Sequence, residues 1–132
     1  MKPRALEWLL EENQPSIRYL TLTQLLGKPE DDPDAESAKE MIATKGWAAD
    51  ILAQQASGGW WVSDESLYRP KYQSTNWMLL ILSDLGLTKE DSRIADGCEL
   101  WIRRFAKSDG GFGTDMREQA KCVLWEIPPA PW

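Results

Sequence analysis

Chemistry in this chain has to be carried by an unusual set of side chains. Histidine is absent, which removes the commonest general base near neutral pH and the commonest metal ligand. A His-based triad is thereby excluded, and a catalytic zinc site is disfavoured. Two cysteines, Cys98 and Cys122, lack a third soft ligand and read as buried structural thiols. The run from Glu30 to Glu36 places five carboxylates in seven residues. It has neither the alternating ligands nor the central glycine of a calcium loop, so it reads as a solvated loop followed by helix-start acids. Asp64 and Glu65 are adjacent acids with no legible partner to shift their pKa, and neither is taken as catalytic. No catalytic residue, metal site or cofactor is expected.

What the sequence has in excess is tryptophan, with eight in 132 residues. Trp60, Trp61, Tyr68, Tyr72 and Trp77 form the densest aromatic group. One reading makes them an aromatic-lined pocket for an apolar ligand. The plainer reading has Trp60 plugging a helix end, Trp77 in the core and the tyrosines pinning a loop. Arg69 and Lys71 are the cations beside the tyrosines, which leaves an anionic head group conceivable.

The elements that must position these residues are helical. Leu6, Leu9 and Leu10 mark a first short helix that stops near Asn13, since Pro15 restricts Gln14. Ile17, Leu20, Gln24 and Leu25 carry a second, ended by Gly27. Asp32 followed by Pro33 predicts an N-cap and N1 for a third, running to Lys45 and Gly46. A fourth runs from Trp47 to about Ala56. Residues 57–73 are a long connection. A fifth helix spans Ser74 to Leu85; its centre, WMLLIL, is apolar on every face and predicts burial on several sides. Thr88 and Asp91 form a capping-box-like start for a sixth, with Ile94, Cys98, Trp101, Ile102 and Phe105 as its stripe. A seventh is expected from Thr114, with Met116, Ala120, Val123, Leu124 and Ile127 on one face, ended by Pro128, Pro129 and Pro131. The fold class is therefore all-α, in one domain over residues 1–132.

Two segments repeat. GGW at 58–60 and GGF at 110–112 each follow a helix, 52 positions apart. Gln54, Gly58 and Trp60, with Gly59 between, fit Q-x-x-x-G-x-W. Trp101, Ile102, Gly110, Gly111 and Phe112 fit a degenerate second copy, with Ala106 in place of glutamine. These residues, with YRPKYQSTNWMLLILSDLG after the first motif, resemble the QW repeat of the squalene cyclase and prenyltransferase family over about residues 47–113. The resemblance implies antiparallel helical hairpins of α/α-toroid type, about seven helices in an incomplete ring. It also implies contact between Trp60 and Gln54 at the end of the fourth helix. The family's D-x-D-D acid and its Asp, Cys and His zinc ligands have no counterpart here. The implied function is thus a non-catalytic binding or interaction module; the alternative is a cyclase- or transferase-like fragment active only in a larger assembly.

The count of 15 basic against 21 acidic residues, net −6, disfavours nucleic acid and a polybasic membrane anchor. No apolar run reaches the ~18 to 20 residues of a membrane span, and the start of the chain does not read as a signal peptide. A cytoplasmic location is expected. An incomplete ring leaves apolar helix faces at its edge, which predicts a homodimer through the C-terminal helix or the edge formed by the first two helices.

Overall fold

The computed structural model describes residues 3–113. Among them are six α-helices and no strands: α1 (Pro3–Leu9), α2 (Pro15–Leu20), α3 (Pro33–Met41), α4 (Trp47–Leu52), α5 (Thr75–Asp84) and α6 (Ser92–Phe105). The expected seventh helix, with Cys122 and the proline-rich end, lies outside the described residues. The all-α expectation therefore holds for what is described, apart from one isolated bridge between Ala106 and Phe112.

Helix α2 does not stop at Leu20. It continues as a π-helical turn over Thr21–Leu25. There the Thr23 hydroxyl donates to the Tyr19 carbonyl at 2.9 Å, a local back-bond of the kind that bends helices. Gly27, at φ 66°, then lets Lys28 N–H reach back to the Leu22 carbonyl at 2.9 Å. This six-residue closure satisfies a carbonyl the helix end would otherwise orphan. The third helix starts where Asp32 and Pro33 predict: the Asp32 carboxylate accepts from the Asp34 N–H at 3.0 Å. It ends at Met41 rather than Lys45, and α4 ends at Leu52 rather than Ala56, each followed by looser turns. The sixth start is displaced by three residues. Asp91, not Thr88, caps α6 by accepting from Arg93 N–H at 2.9 Å. Thr88 instead turns the chain beforehand, accepting from Glu90 N–H.

Helix α2 packs on α3, α4 on α5, and α5 on α6. Ala35, Ala38 and Ala48 are buried along with Tyr19, Leu22, Ile42, Leu52, Leu82 and Ile94. Small side chains at these positions allow close helix approach, and the larger ones fill the remaining space. The turn after α5 closes onto the first half of the chain, because a Cβ on Gly86 would lie 3.2 Å from Ile42 Cδ1. A second long-range tie joins the α1–α2 junction to α4. Gln14 Oε1 accepts from Trp47 N–H at 3.2 Å, capping a helix 33 residues downstream. Gly46, at φ 78°, passes so close that a Cβ there would be 2.7 Å from that same oxygen.

Helix α5, apolar on every face, is expected to be buried on several sides, yet part of its centre faces solvent. Leu82 is buried, but Leu80 is 54% exposed and Ile81 is also exposed. No described helix is long and apolar enough to cross a membrane.

Candidate functional site

The 57–73 connection is positioned by Trp61. Its ring is buried, with only 2% of the residue exposed. The indole N–H donates to the Ile51 carbonyl at 2.7 Å, satisfying an acceptor near the end of α4. Its backbone N–H donates to Thr75 Oγ1 at 3.0 Å, at the start of α5. One residue therefore clamps the loop to both helices. The next residue cannot follow a relaxed path. Ser63 N–H bonds the Trp61 carbonyl at 2.8 Å across Val62, whose φ is 66°. That is a γ-turn of the positive-φ kind, rare and strained, with a β-branched residue at its apex.

These bonds correct the expected motif register. The segment QQASGGWW doubles each motif residue, so Gln55, Gly59 and Trp61 satisfy Q-x-x-x-G-x-W as well as Gln54, Gly58 and Trp60 do. The fold uses the second set. Trp61, not Trp60, donates to the end of α4. Gln55 Nε2 donates to the Gly59 carbonyl at 3.2 Å and to the Arg93 carbonyl at 2.9 Å, joining the loop to the start of α6. Among the described residues the Gln54 side chain bonds only within its own turn, to the Asp50 carbonyl at 3.1 Å. Trp60 is half-buried and lies over Gly58, where a Cβ would meet its Nε1 at 2.8 Å.

The shift also brings the two copies into a common frame, 51 positions apart rather than 52. Gly59 and Gly110 both have φ 87°. Gly59 N–H bonds the Ala56 carbonyl and Gly110 N–H the Lys107 carbonyl; Ala56 N–H bonds the Trp60 carbonyl and Lys107 N–H the Gly111 carbonyl. Phe112 then corresponds to Trp61. Having no side-chain N–H, it packs on the Trp101 ring at 5.4 Å instead, and Trp101 donates to Asn76 Oδ1 at 3.0 Å. Between the copies, the loop lies directly on α6: a Cβ on Gly59 would be 3.2 Å from the Asp96 backbone, and one on Gly97 3.2 Å from the Gly59 carbonyl.

The expected aromatic group divides in two. Trp77 sits between Tyr68 at 5.3 Å and Tyr72 at 4.9 Å, and donates to the Tyr68 carbonyl at 3.0 Å. No ring contact joins Trp60 or Trp61 to this trio among the described residues. Tyr72 is 68% exposed and, like Val62, has a left-handed backbone, with φ 68°. Arg69 and Lys71 are exposed beside it.

Between the two left-handed stretches lies a depression of about 310 Å³, lined by Gln54, Trp61, Val62, Gln73 and Met78. Of the five aromatics expected in a pocket, only Trp61 lines it. Val62, Gln73 and Met78 are additions that sequence reasoning missed. Nothing in their types marks them, since positive φ at valine has no sequence signal. A second depression, about 340 Å³, lies between the α1–α2 region and α3, where Glu12, Arg18, Asp34 and Lys45 present both charge signs.

The ionisable groups with shifted pKa sit elsewhere. Hydrogen bonds from Lys28 hold the Asp32 carboxyl below its ordinary value against a smaller opposing desolvation, and Lys28 also pairs with Asp34 at 3.0 Å. The Arg93 side chain does the same for Asp91. The acidic run thus supplies an ion pair and a cap, and no group of three or more metal-ligating side chains occurs among the described residues. Burial pushes the Cys98 thiol up, away from the nucleophilic thiolate. No family model matches this chain, and no curated protein or solved structure was found similar to it.

Proposed function

We propose that the chain is a non-catalytic helical binding module whose site is the depression beside Val62. The strained γ-turn carries this reading. A valine at φ 66° costs on the order of 1–3 kcal/mol, and glycine would occupy the position without that strain. Yet Val62 is 58% exposed, so its side chain contributes little to the core. Such strain is held where the surrounding structure over-determines it, and the Trp61 clamp supplies that constraint. The strain presents an apolar side chain at the rim of a cavity. The test uses an uncharged aliphatic probe, 4-methyl-1-pentanol, followed by NMR of the methyl groups of Val62 and Met78. Saturable shifts at both are expected, and Val62→Gly should weaken binding several-fold without loss of stability. Absence of saturable shifts, or unchanged binding by the glycine variant, would overturn the reading.

The 51-residue recurrence of turn geometry supports kinship with the squalene cyclase and prenyltransferase repeats, and with it an arrangement of helices as part of an α/α toroid. A homodimer fits the same reading. Trp8, at 65% exposure, and the exposed Leu25 and Leu26 leave apolar surface on the first two helices. Light scattering should give twice the chain mass, and Leu25→Glu combined with Leu26→Glu should halve it. A parent chain of single mass refutes the dimer.

A further inference from the structure

We infer that the depression beside Val62 takes an uncharged peptide segment bearing one aliphatic side chain. This inference rests on the binding reading above and adds the ligand's chemistry. The lining holds no charged side chain: two carboxamides, an indole face, a valine and a thioether. The Trp61 indole N–H is already committed to the Ile51 carbonyl, so Trp61 offers only its ring. Gln54 uses one N–H on the Asp50 carbonyl, which leaves Oε1 and a second N–H. Gln73 is exposed and its side chain makes no hydrogen bond among the described residues.

A carboxamide carries the donor and acceptor pattern of a peptide group, so it pairs with a peptide's N–H and C=O together. Two such groups in an otherwise apolar lining match a residue whose side chain enters while its two peptide groups pair with the carboxamides. Charge complementarity points the same way. An anionic or cationic ligand would lose solvation on entry without finding a counter-charge. About 310 Å³, at the lower bound of small-ligand pockets, accommodates a single aliphatic side chain. The left-handed residues on either side, Val62 and Tyr72, set the rim: Val62 enters the lining itself, and Tyr72 immediately precedes Gln73.

The probes share one isobutyl group and differ only in what surrounds it: N-acetyl-leucine N-methylamide, N-acetyl-leucine as its carboxylate, and 4-methyl-1-pentanol. Each is titrated into the full chain and followed by NMR of the Gln54 and Gln73 side-chain amides. The capped amide should bind about tenfold tighter than the alcohol, in proportion to one or two added hydrogen bonds, and should shift both amides. The carboxylate should bind more weakly than the capped amide. Gln73→Glu, an exposed and nearly isosteric change, should weaken the capped amide about five- to tenfold, a larger factor than it weakens the alcohol. Alcohol binding with no preference for the capped amide, or an unaltered Gln73→Glu variant, overturns the peptide assignment and leaves the site standing. Failure of all three probes removes the site as well.

Discussion

Replacing Trp61 and Trp60 in parallel separates the two motif registers. Trp61→Ala empties a buried site and leaves the Ile51 carbonyl without its indole donor. Large aromatic truncations in cores cost about 3–5 kcal/mol. For a chain of this length each kcal/mol moves the melting temperature by roughly 3–6 °C. The expected fall is therefore on the order of 10–30 °C, and the energy lost is a substantial part of a typical domain's ~5–15 kcal/mol. Trp61→Phe keeps a ring but loses the N–H, so it isolates the unpaired carbonyl and should cost about 1–3 kcal/mol. Trp60→Ala removes a half-buried ring whose N–H has no partner among the described residues. Its cost should stay near the ~1 kcal/mol of an ordinary substitution. Urea unfolding followed by far-ultraviolet circular dichroism is the suitable assay, because the indole changes would confound fluorescence. Equal costs for the two alanine variants, or a larger one for Trp60→Ala, would refute the Trp61 clamp and reinstate the Gln54–Gly58–Trp60 register.

Gly46→Ala should destabilise more than Gly110→Ala. Both alanines would have to take positive φ, and Gly46, at φ 78° and ψ −161°, lies in a region essentially confined to glycine; only at Gly46 would the Cβ also meet Gln14 Oε1 at 2.7 Å and the Asn13 carbonyl at 3.0 Å. Equal melting temperatures for the two would contradict the Gln14 cap. Asp91→Asn keeps a capping acceptor and removes the charge paired with Arg93. The Asp91 pKa is lowered from 3.8 by that pairing, so its contribution is present above 3.8 and is lost as pH falls through the depressed value. The variant should be less stable than the parent at pH 7, with the gap closing under acid conditions; a gap that widens on acidification would reverse the sign of the argument. Ser74 Oγ is buried without a hydrogen-bond partner among the described residues. Ser74→Ala should be neutral or stabilising, since it removes an unsatisfied hydroxyl, and a loss above ~1 kcal/mol would mean the hydroxyl has an unseen role.

Local chemistry made much of the helical layout legible in the sequence. Asp32 and Pro33 predict the α3 start because a carboxylate cap and a fixed proline φ act within one turn. Gly27 and Gly86 mark helix ends for an equally local reason, their tolerance of positive φ. Gln14 and Gln55 are different. Each reaches backbone atoms more than thirty positions away, at Trp47 and Arg93, and no spacing within the chain anticipates those partners. Thr88 and Asp91 are both competent caps, and the chain turns at the first before starting its helix at the second.

The motif shows the limit most clearly. In QQASGGWW two registers have identical spacing and nearly identical residues, so pattern alone holds no information that separates them. The choice falls to packing. Only one tryptophan can be enclosed while placing its N–H on the Ile51 carbonyl and its backbone N–H on Thr75, and that is Trp61. Once Trp61 is enclosed, Val62 is driven outward through a left-handed turn, and the depression forms beside it. The sequence by itself determined the six described helices apart from their exact ends, the paired glycine turns and the missing chemistry of histidine. The tertiary structure decided which tryptophan became core, which residue carries strain, and so where the depression lies, because burial and hydrogen-bond satisfaction are properties of residues brought together from distant parts of the chain.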